Sequence, residues 1–191
     1  MNIYFVTGNK GKIETAEVEL SPLGIDVIQW NKIEFSEPRT YDLNEIAISK
    51  AKQAFDVLQK PLMVLDAGFY MHRWVDFPGP FTNHALKTLG LDGIMKLVEK
   101  EDRGCEFRNA LAYIDDSLDE PKIFYVTIKG IIGEKIGPDN PERTGWSVLH
   151  KIFVPDGFDK PLSEMNNEEY SIYRKNRQPI YSQFGEWLKN R

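Results

Sequence analysis

The hydrophobic pattern of this chain divides it into strands and helices from the first residue. Met1 to Val6 is an apolar run of strand length, bounded by Thr7-Gly8-Asn9. Lys12 to Leu20 then carries Ile13, Ala16, Val18 and Leu20 among polar residues, a helical spacing that Pro22-Leu23-Gly24 stops. Ile25 to Trp30 alternates as a second strand, and Glu34 to Asp42 is a polar loop around Pro38. Asn44 is placed to cap a helix that runs to about Leu58 and buries Ile46, Ala47, Ala51, Ala54, Phe55 and Leu58.

Pro61 opens a short strand, Leu62 to Leu65, which the pattern ends at Asp66-Ala67-Gly68. Phe77-Pro78-Gly79-Pro80-Phe81 reads as a rigid turn, and Asn83 to Leu89 and Gly93 to Glu99 as two helices split by Gly90. Two long strands follow, Cys105 to Asp115 and Lys122 to Glu134, joined by a polar turn. Gly137 to Gly145 is a loop, and Ile152 to Val154 a short strand closed by Pro155-Asp156-Gly157. Asn166 to Lys189 is helical but broken by Pro179. Strands alternating with helices, then hairpin-like strands, then helix, predict an α/β fold on a mixed sheet.

Composition narrows the classes. The chain has 191 residues, with 41% hydrophobic and 28% charged, enough to bury a core without staples. A net charge of −5 speaks against broad nucleic-acid or anionic-membrane binding, while leaving room for a local basic pocket. One cysteine, Cys105, excludes an intrachain disulfide, and no Cys/His cluster has zinc spacing. His72, His84 and His150 are scattered. No run reaches membrane-spanning length, and the N-terminus opens directly in a strand pattern, so a cytoplasmic, reducing compartment is expected.

Candidate chemistry begins where the first strand meets the first helix. A Gly-bearing turn that feeds a helix, with Lys10 and Lys12 beside it, exposes backbone N–H groups suited to phosphate. It is neither a Walker A loop nor a dinucleotide fingerprint. Asp66, after an apolar strand, stands where a carboxylate binds a metal or acts as a base toward water, or else caps the next segment. Glu37 lies in the polar loop with Glu34 and Asp42 as competitors for a hard divalent cation. Lys50, on the second helix, either neutralises a phosphate or extends to solvent. Trp146 offers a face for a base or packs beneath its loop. Arg174-Lys175-Asn176-Arg177 is a basic cluster that reads a base edge, holds phosphate or is a solvated face.

The order of these signals is more specific than any one of them. Thr7-Gly8-Asn9-x-x-Lys12, Glu45-Ile46-Ala47-x-x-Lys50-Ala51, the acid after an apolar strand, Phe77-Pro78-Gly79-Pro80-Phe81, Gly145-Trp146, Phe153-x-Pro155-Asp156-Gly157-Phe158 and Ser163-Glu164-Met165 form one series. That series resembles the inosine triphosphate pyrophosphatase (ITPase) family across essentially the whole chain. The resemblance implies an elongated mixed β-sheet with two α/β lobes around a central cleft, with residues 1–191 as a single domain of that kind. It also implies a homodimer and a Mg²⁺-dependent conversion of non-standard purine nucleoside triphosphates to monophosphate and pyrophosphate. Carried over by position, Thr7, Asn9 and Lys12 correspond to triphosphate contacts and Glu37 to the metal-binding loop carboxylate. Lys50 corresponds to a catalytic lysine near the phosphates, and Asp66 to the catalytic and metal-binding acid. Trp146 corresponds to the base-stacking aromatic and Arg177 to the arginine of a Ser-His-Arg element, with Arg174 as the other register.

The departures are grouped. Leu65 stands where the family has the first of two adjacent acids. Thr144-Gly145-Trp146-Ser147 replaces a Phe-Gly-Trp-Asp run and is followed by an insertion, and Lys175-Asn176-Arg177 replaces Ser-His-Arg. The triphosphate half is kept and the base-reading half, with Ser147, Asn176 and Arg177 at the base edge, is rewritten. A pyrophosphohydrolase with altered base preference is expected, because hydrogen-bonded base pockets discriminate strongly. A catalytically impaired nucleotide-binding protein and a structural dimerisation module are the rival readings.

Overall fold

A computed structural model describes residues 1–98, 102–140, 142–143, 147–177 and 179–191. Its strands are β1 (Asn2–Val6), β2 (Asp26–Trp30), β3 (Leu62–Met71), β4 (Pro78–Gly79), β5 (Gly104–Ile114), β6 (Lys122–Ile132) and β7 (Phe153–Pro155). Its helices, among the described residues, are α1 (Lys10–Leu20), α2 (Leu43–Leu58), α3 (Thr82–Lys96), α4 (Asn167–Asn176) and α5 (Ile180–Lys189). The strands form one open mixed sheet in the order β2-β1-β3-β5-β6-β7, with β4 paired to β3. β1 runs parallel to β2 and β3, with Tyr4 opposite Leu62, whereas β7 lies antiparallel to β6, with Val154 opposite Ile131.

The chain divides into two compact units. One holds Met1–Ala67, Asn109–Val126 and Pro179–Arg191; the other holds Gly68–Arg108 and Thr127–Gln178. In the first, Ile3, Phe5, Met63, Leu65, Leu111 and Tyr113 from the strands bury against Ala16 and Leu20 of α1 and Ile180, Phe184 and Leu188 of α5. Period 2 on the strands and period 3.6 on the helices bring these positions to one face each. Tyr113 tilts against Phe184 with ring centroids 5.0 Å apart. In the second unit, Phe69, Met71, Phe107 and Phe153 pack with Ile94 of α3 and Tyr173 of α4, and the Phe107 and Phe153 rings meet edge to face at 4.8 Å. Buried Cys105 belongs to this core, and burial pushes its thiol pKa far up, which keeps it protonated and inert.

Several expected boundaries move. The third strand does not stop at Leu65 but continues to Met71, so Asp66 lies inside β3 and not at its end. Apolar Phe69, Tyr70 and Met71 resume the strand pattern after a short polar and small interruption that reads, in sequence, as a turn. Asp42, not Asn44, caps α2, its side chain accepting from the Asn44 N–H at 2.8 Å. α1 begins at Lys10, so Lys12 falls in its first turn. The split at Gly90 stands, because its φ of 66° and ψ of −178° break α3 into two helical pieces; the end expected at Glu99 lies outside the described residues. Pro78 and Gly79 pair with β3 instead of forming a turn alone. α4 opens with a capping box between Asn166 and Glu169, and Pro179 separates it from α5 as the pattern predicts.

Gly130 of β6 has no room for a side chain against β7. A Cβ there would lie 2.3 Å from the Val154 carbonyl oxygen and 2.8 Å from the Phe153 ring. Backbone cannot yield as a flexible side chain does. Gly130→Ala is therefore expected to lower unfolding free energy by about 1–3 kcal/mol, read as a shifted midpoint in urea; an unchanged midpoint contradicts the packing.

Candidate active site

The turn after β1 is built by its own side chains. The Thr7 N–H donates to the Phe5 and Trp30 carbonyls, both at 3.1 Å, and the Gln29 side-chain amide donates to the Thr7 carbonyl at 3.0 Å. The Thr7 hydroxyl oxygen accepts from the Asn9 N–H at 3.1 Å, and Asn9 Oδ1 accepts from the Lys12 N–H at 3.2 Å, capping α1. The Lys10 and Gly11 N–H groups, in the first helical turn, have no intrahelical acceptor. Gly8 has open space where a Cβ would be. The cap uses only the oxygen of the Asn9 amide, so its NH₂ and the Lys10 and Gly11 N–H groups are left to the end of a helix whose dipole favours negative charge.

Lys12 turns the other way. Its Nζ donates to the Leu65 carbonyl of β3 at 2.8 Å. Although part of the residue remains exposed, burial of its ammonium end lowers its pKa to about 8; nearby Asp66 opposes the shift and Lys50 adds to it. Leu65 contributes only its carbonyl oxygen here, because its side chain joins the core formed with α1 and α5. Successive residues of a strand face opposite ways, so Asp66 points away from that core.

On that side Asp66 meets α2. Lys50 Nζ donates to Asp66 Oδ2 at 2.5 Å and pairs with Glu37 Oε1 at 2.7 Å, drawing a strand carboxylate and a loop carboxylate onto one ammonium. Lys50 and Asp66 are mostly buried and Glu37 is more than half exposed. Burial pulls the Lys50 pKa down, but the charge and hydrogen bonds of Asp66, aided by Glu37, outweigh it and raise the pKa overall. Phe35 lies beneath the same ammonium, 5.8 Å from its ring centroid. Thr7, Asn9, Lys12, Glu37, Lys50 and Asp66 thus all belong to the first compact unit. Glu34 and Asp42 do not join them: Lys50 selects Glu37, and the Asp42 side chain is occupied as a cap.

Among the described residues, no three His, Cys, Asp or Glu side chains gather as a closed metal cage. Two hard carboxylates converging on one point instead fit Mg²⁺, which takes one or two protein carboxylates and completes its octahedron with water and phosphate oxygens.

The remaining candidates lie in the second unit. Trp146, with Thr144 and Gly145, falls outside the described residues. The Ser147 hydroxyl oxygen accepts from the Leu149 N–H at 3.3 Å, starting a turn of tight helix, and its carbonyl accepts from His150 Nδ1 at 2.9 Å. Asn176 is exposed at the end of α4. Arg177 is partly buried and hydrogen-bonds the buried Tyr173 hydroxyl, whose pKa is raised by burial against the opposing charge of Arg177.

Sequence reasoning missed Gln29, Ser36 and Gln53, which shape the site through hydrogen bonds to or from the backbone, and Phe35, whose ring lies under the Lys50 ammonium. The signal for Gln53 was present: it lies three residues after Lys50, one helical turn along the same face of α2.

Residues 3–177 match the Ham1 family. A dITP/XTP pyrophosphatase of Thermococcus kodakarensis is 33% identical over 190 residues, covering 99% of this chain and 98% of that protein. One of Methanopyrus kandleri is 32% identical over all of this chain and 97% of its own length. The chain belongs to the Ham1 family. The Ham1 protein of Staphylococcus aureus superposes with a TM-score of 0.77 at 20% identity, covering 100% of this chain and 99% of that one, and that of Coxiella burnetii with 0.76 at 18%, covering 100% of both. These neighbours share the α/β fold expected from the sequence, and the family match bears out the resemblance on which that expectation rested.

Asn9 gives a local test. Asn9→Ala is expected to cost about 1 kcal/mol through loss of the cap, whereas Asn9→Asp keeps an acceptor and stays near the parent. Chemical denaturation of both variants distinguishes a cap from a residue without one.

Proposed function

We propose that this Ham1-family chain hydrolyses non-standard purine nucleoside triphosphates to monophosphate and pyrophosphate, with a base preference shifted from that of its relatives. The chain is a nucleotide pyrophosphatase, as its family and its whole-length dITP/XTP pyrophosphatase relatives indicate. The observation that carries our reading of the site is the Lys50 ammonium holding Glu37 and Asp66 together, with the partly buried Lys12 and the N-terminus of α1 in the same unit. The substitutions at Ser147 and at Lys175-Asn176-Arg177 support the shift in base preference.

In this reading the α1 N–H groups, with Thr7 and Asn9, take phosphate oxygens. Lys12 and Lys50 balance the charge that grows on the departing pyrophosphate. Asp66 orients a water toward the α-phosphorus and takes its proton as the new P–O bond forms and the bond to the bridging oxygen breaks. Glu37 and Asp66 are the residues that would hold Mg²⁺, whose chemistry is neutralisation of phosphate charge. The family resemblance assigns base stacking to Trp146 and reading of the base edge to Ser147, Asn176 and Arg177. The protein acts as a homodimer in the cytoplasm; among the described residues no helix is long and apolar enough to cross a membrane.

Purified protein with Mg²⁺ is expected to release pyrophosphate from at least one of dITP, XTP, ITP and a panel of modified triphosphates, and Asp66→Asn to abolish release. Binding without release, restored to turnover by Leu65→Glu, would instead identify the impaired nucleotide-binding protein.

The depressed pKa of Lys12 sets the alkaline limb. In the free enzyme its ammonium loses its proton as pH rises through about 8, so kcat/KM is expected to fall there. Bound triphosphate stabilises the ammonium, so kcat at saturation persists to higher pH. Lys12→Met removes the limb while lowering kcat/KM throughout.

A further inference from the structure

Glu37 reaches Lys50 from an exposed loop, and something must hold that loop where it is. The neighbouring residue, Ser36, makes two backbone hydrogen bonds to one side chain. The Ser36 N–H donates to Gln53 Oε1 at 2.9 Å, and Gln53 Nε2 donates to the Ser36 carbonyl at 3.0 Å. The side-chain amide thereby pairs with a peptide group as a neighbouring β-strand would. Its second N–H is directed at Ser49, whose hydroxyl oxygen lies 3.1 Å away and whose carbonyl 3.3 Å away. The Ser36 N–H faces Oε1 and the Ser36 and Ser49 carbonyl oxygens face Nε2, so the opposite orientation of the amide would lose both bonds to Ser36 and the one to the Ser49 carbonyl. α2 therefore presents two groups from one face to the 34–42 loop: Gln53 grips its backbone and Lys50 its carboxylate.

We infer that Gln53 is a positioning residue, which fixes the Ser36 peptide so that Glu37 is delivered to the carboxylate pair with Asp66, and so sets the affinity for the divalent cation. This rests on the proposed role of Glu37 as a metal carboxylate. Gln53 touches neither substrate nor metal. A carboxylate on an untethered loop pays the ordering cost when the metal binds; the tether removes part of that cost beforehand. Two bonds to an exposed peptide correspond to about a tenfold effect on affinity.

The test uses the full chain and Mn²⁺, whose free form is counted by electron paramagnetic resonance, with a non-hydrolysable α,β-methylene dITP present. Gln53→Met keeps length and helix propensity but forms no such bonds. It is expected to weaken Mn²⁺ binding about tenfold and to raise by a similar factor the Mg²⁺ needed for half-maximal rate, with much of kcat recovered at high Mg²⁺. Hydrogen exchange at the Ser36 amide is expected to accelerate in the same variant without metal, which reports the tether directly. In a Glu37→Gln background, Gln53→Met is expected to have no further effect on Mn²⁺, since both act through one carboxylate. Mn²⁺ affinity within twofold of the parent in Gln53→Met, while Glu37→Gln weakens it, overturns the inference and leaves the proposed function standing. An equal loss from Gln53→Met with or without Glu37 also overturns it. Unchanged affinity in Glu37→Gln removes the premise itself, and with it the assigned role of Glu37.

Discussion

A single ammonium joins three parts of the chain that the sequence keeps far apart. Lys50 comes from the middle of α2, Asp66 from the interior of β3 and Glu37 from the loop before α2. Two carboxylates in a partly buried setting repel one another, and each loses hydration. The lysine offsets both penalties at once. Removing it would leave a mostly buried Asp66 beside a like charge, which makes this contact a structural requirement as well as a chemical one.

The phosphate side that we propose is assembled from backbone as much as from side chains. Asn9 caps α1 with its oxygen, Thr7 braces the turn through its hydroxyl oxygen, and the first N–H groups of the helix have no acceptor within it. The same residues that the family resemblance assigns to the triphosphate therefore have a duty in shaping the turn. Asn9 serves as a cap through one end of its amide and keeps the other end available, so the two roles do not compete. Lys12 contributes differently: its ammonium is held by the Leu65 carbonyl in a poorly hydrated position, which depresses its pKa.

What was legible in the sequence follows from what periodicity and order encode. The strands, the amphipathic helices and the break at Pro179 are written in local patterns, and the sheet class follows from their alternation. The grouping of Lys50, Asp66 and Glu37 came from the order of motifs, because no local pattern links residues so distant. The extent of β3 was not legible, since Asp66-Ala67-Gly68 carries turn chemistry and only tertiary burial of Phe69 to Met71 overrides it. The α2 cap was misplaced by two residues because Asp42 and Asn44 are both good caps and the sequence does not rank them. Gln53 was legible only by its place, one turn after Lys50 on the same face of α2, since a side chain that grips a peptide group leaves no signature in residue type. The base side draws least from local pattern: Ser147 is engaged in a turn, and Trp146 lies outside the described residues.

Asp66 sits inside an unbroken strand, whereas its partner Glu37 sits on a loop. The two carboxylates therefore differ in stiffness. One inherits its coordinates from the whole sheet and has no hinge near it; the other can follow a guest by small adjustments of the chain. Drift in sequence far along β3 or β1 can thus disturb the proposed acid through strand twist alone, while any give on the Glu37 side is bounded by the Gln53 contacts to Ser36.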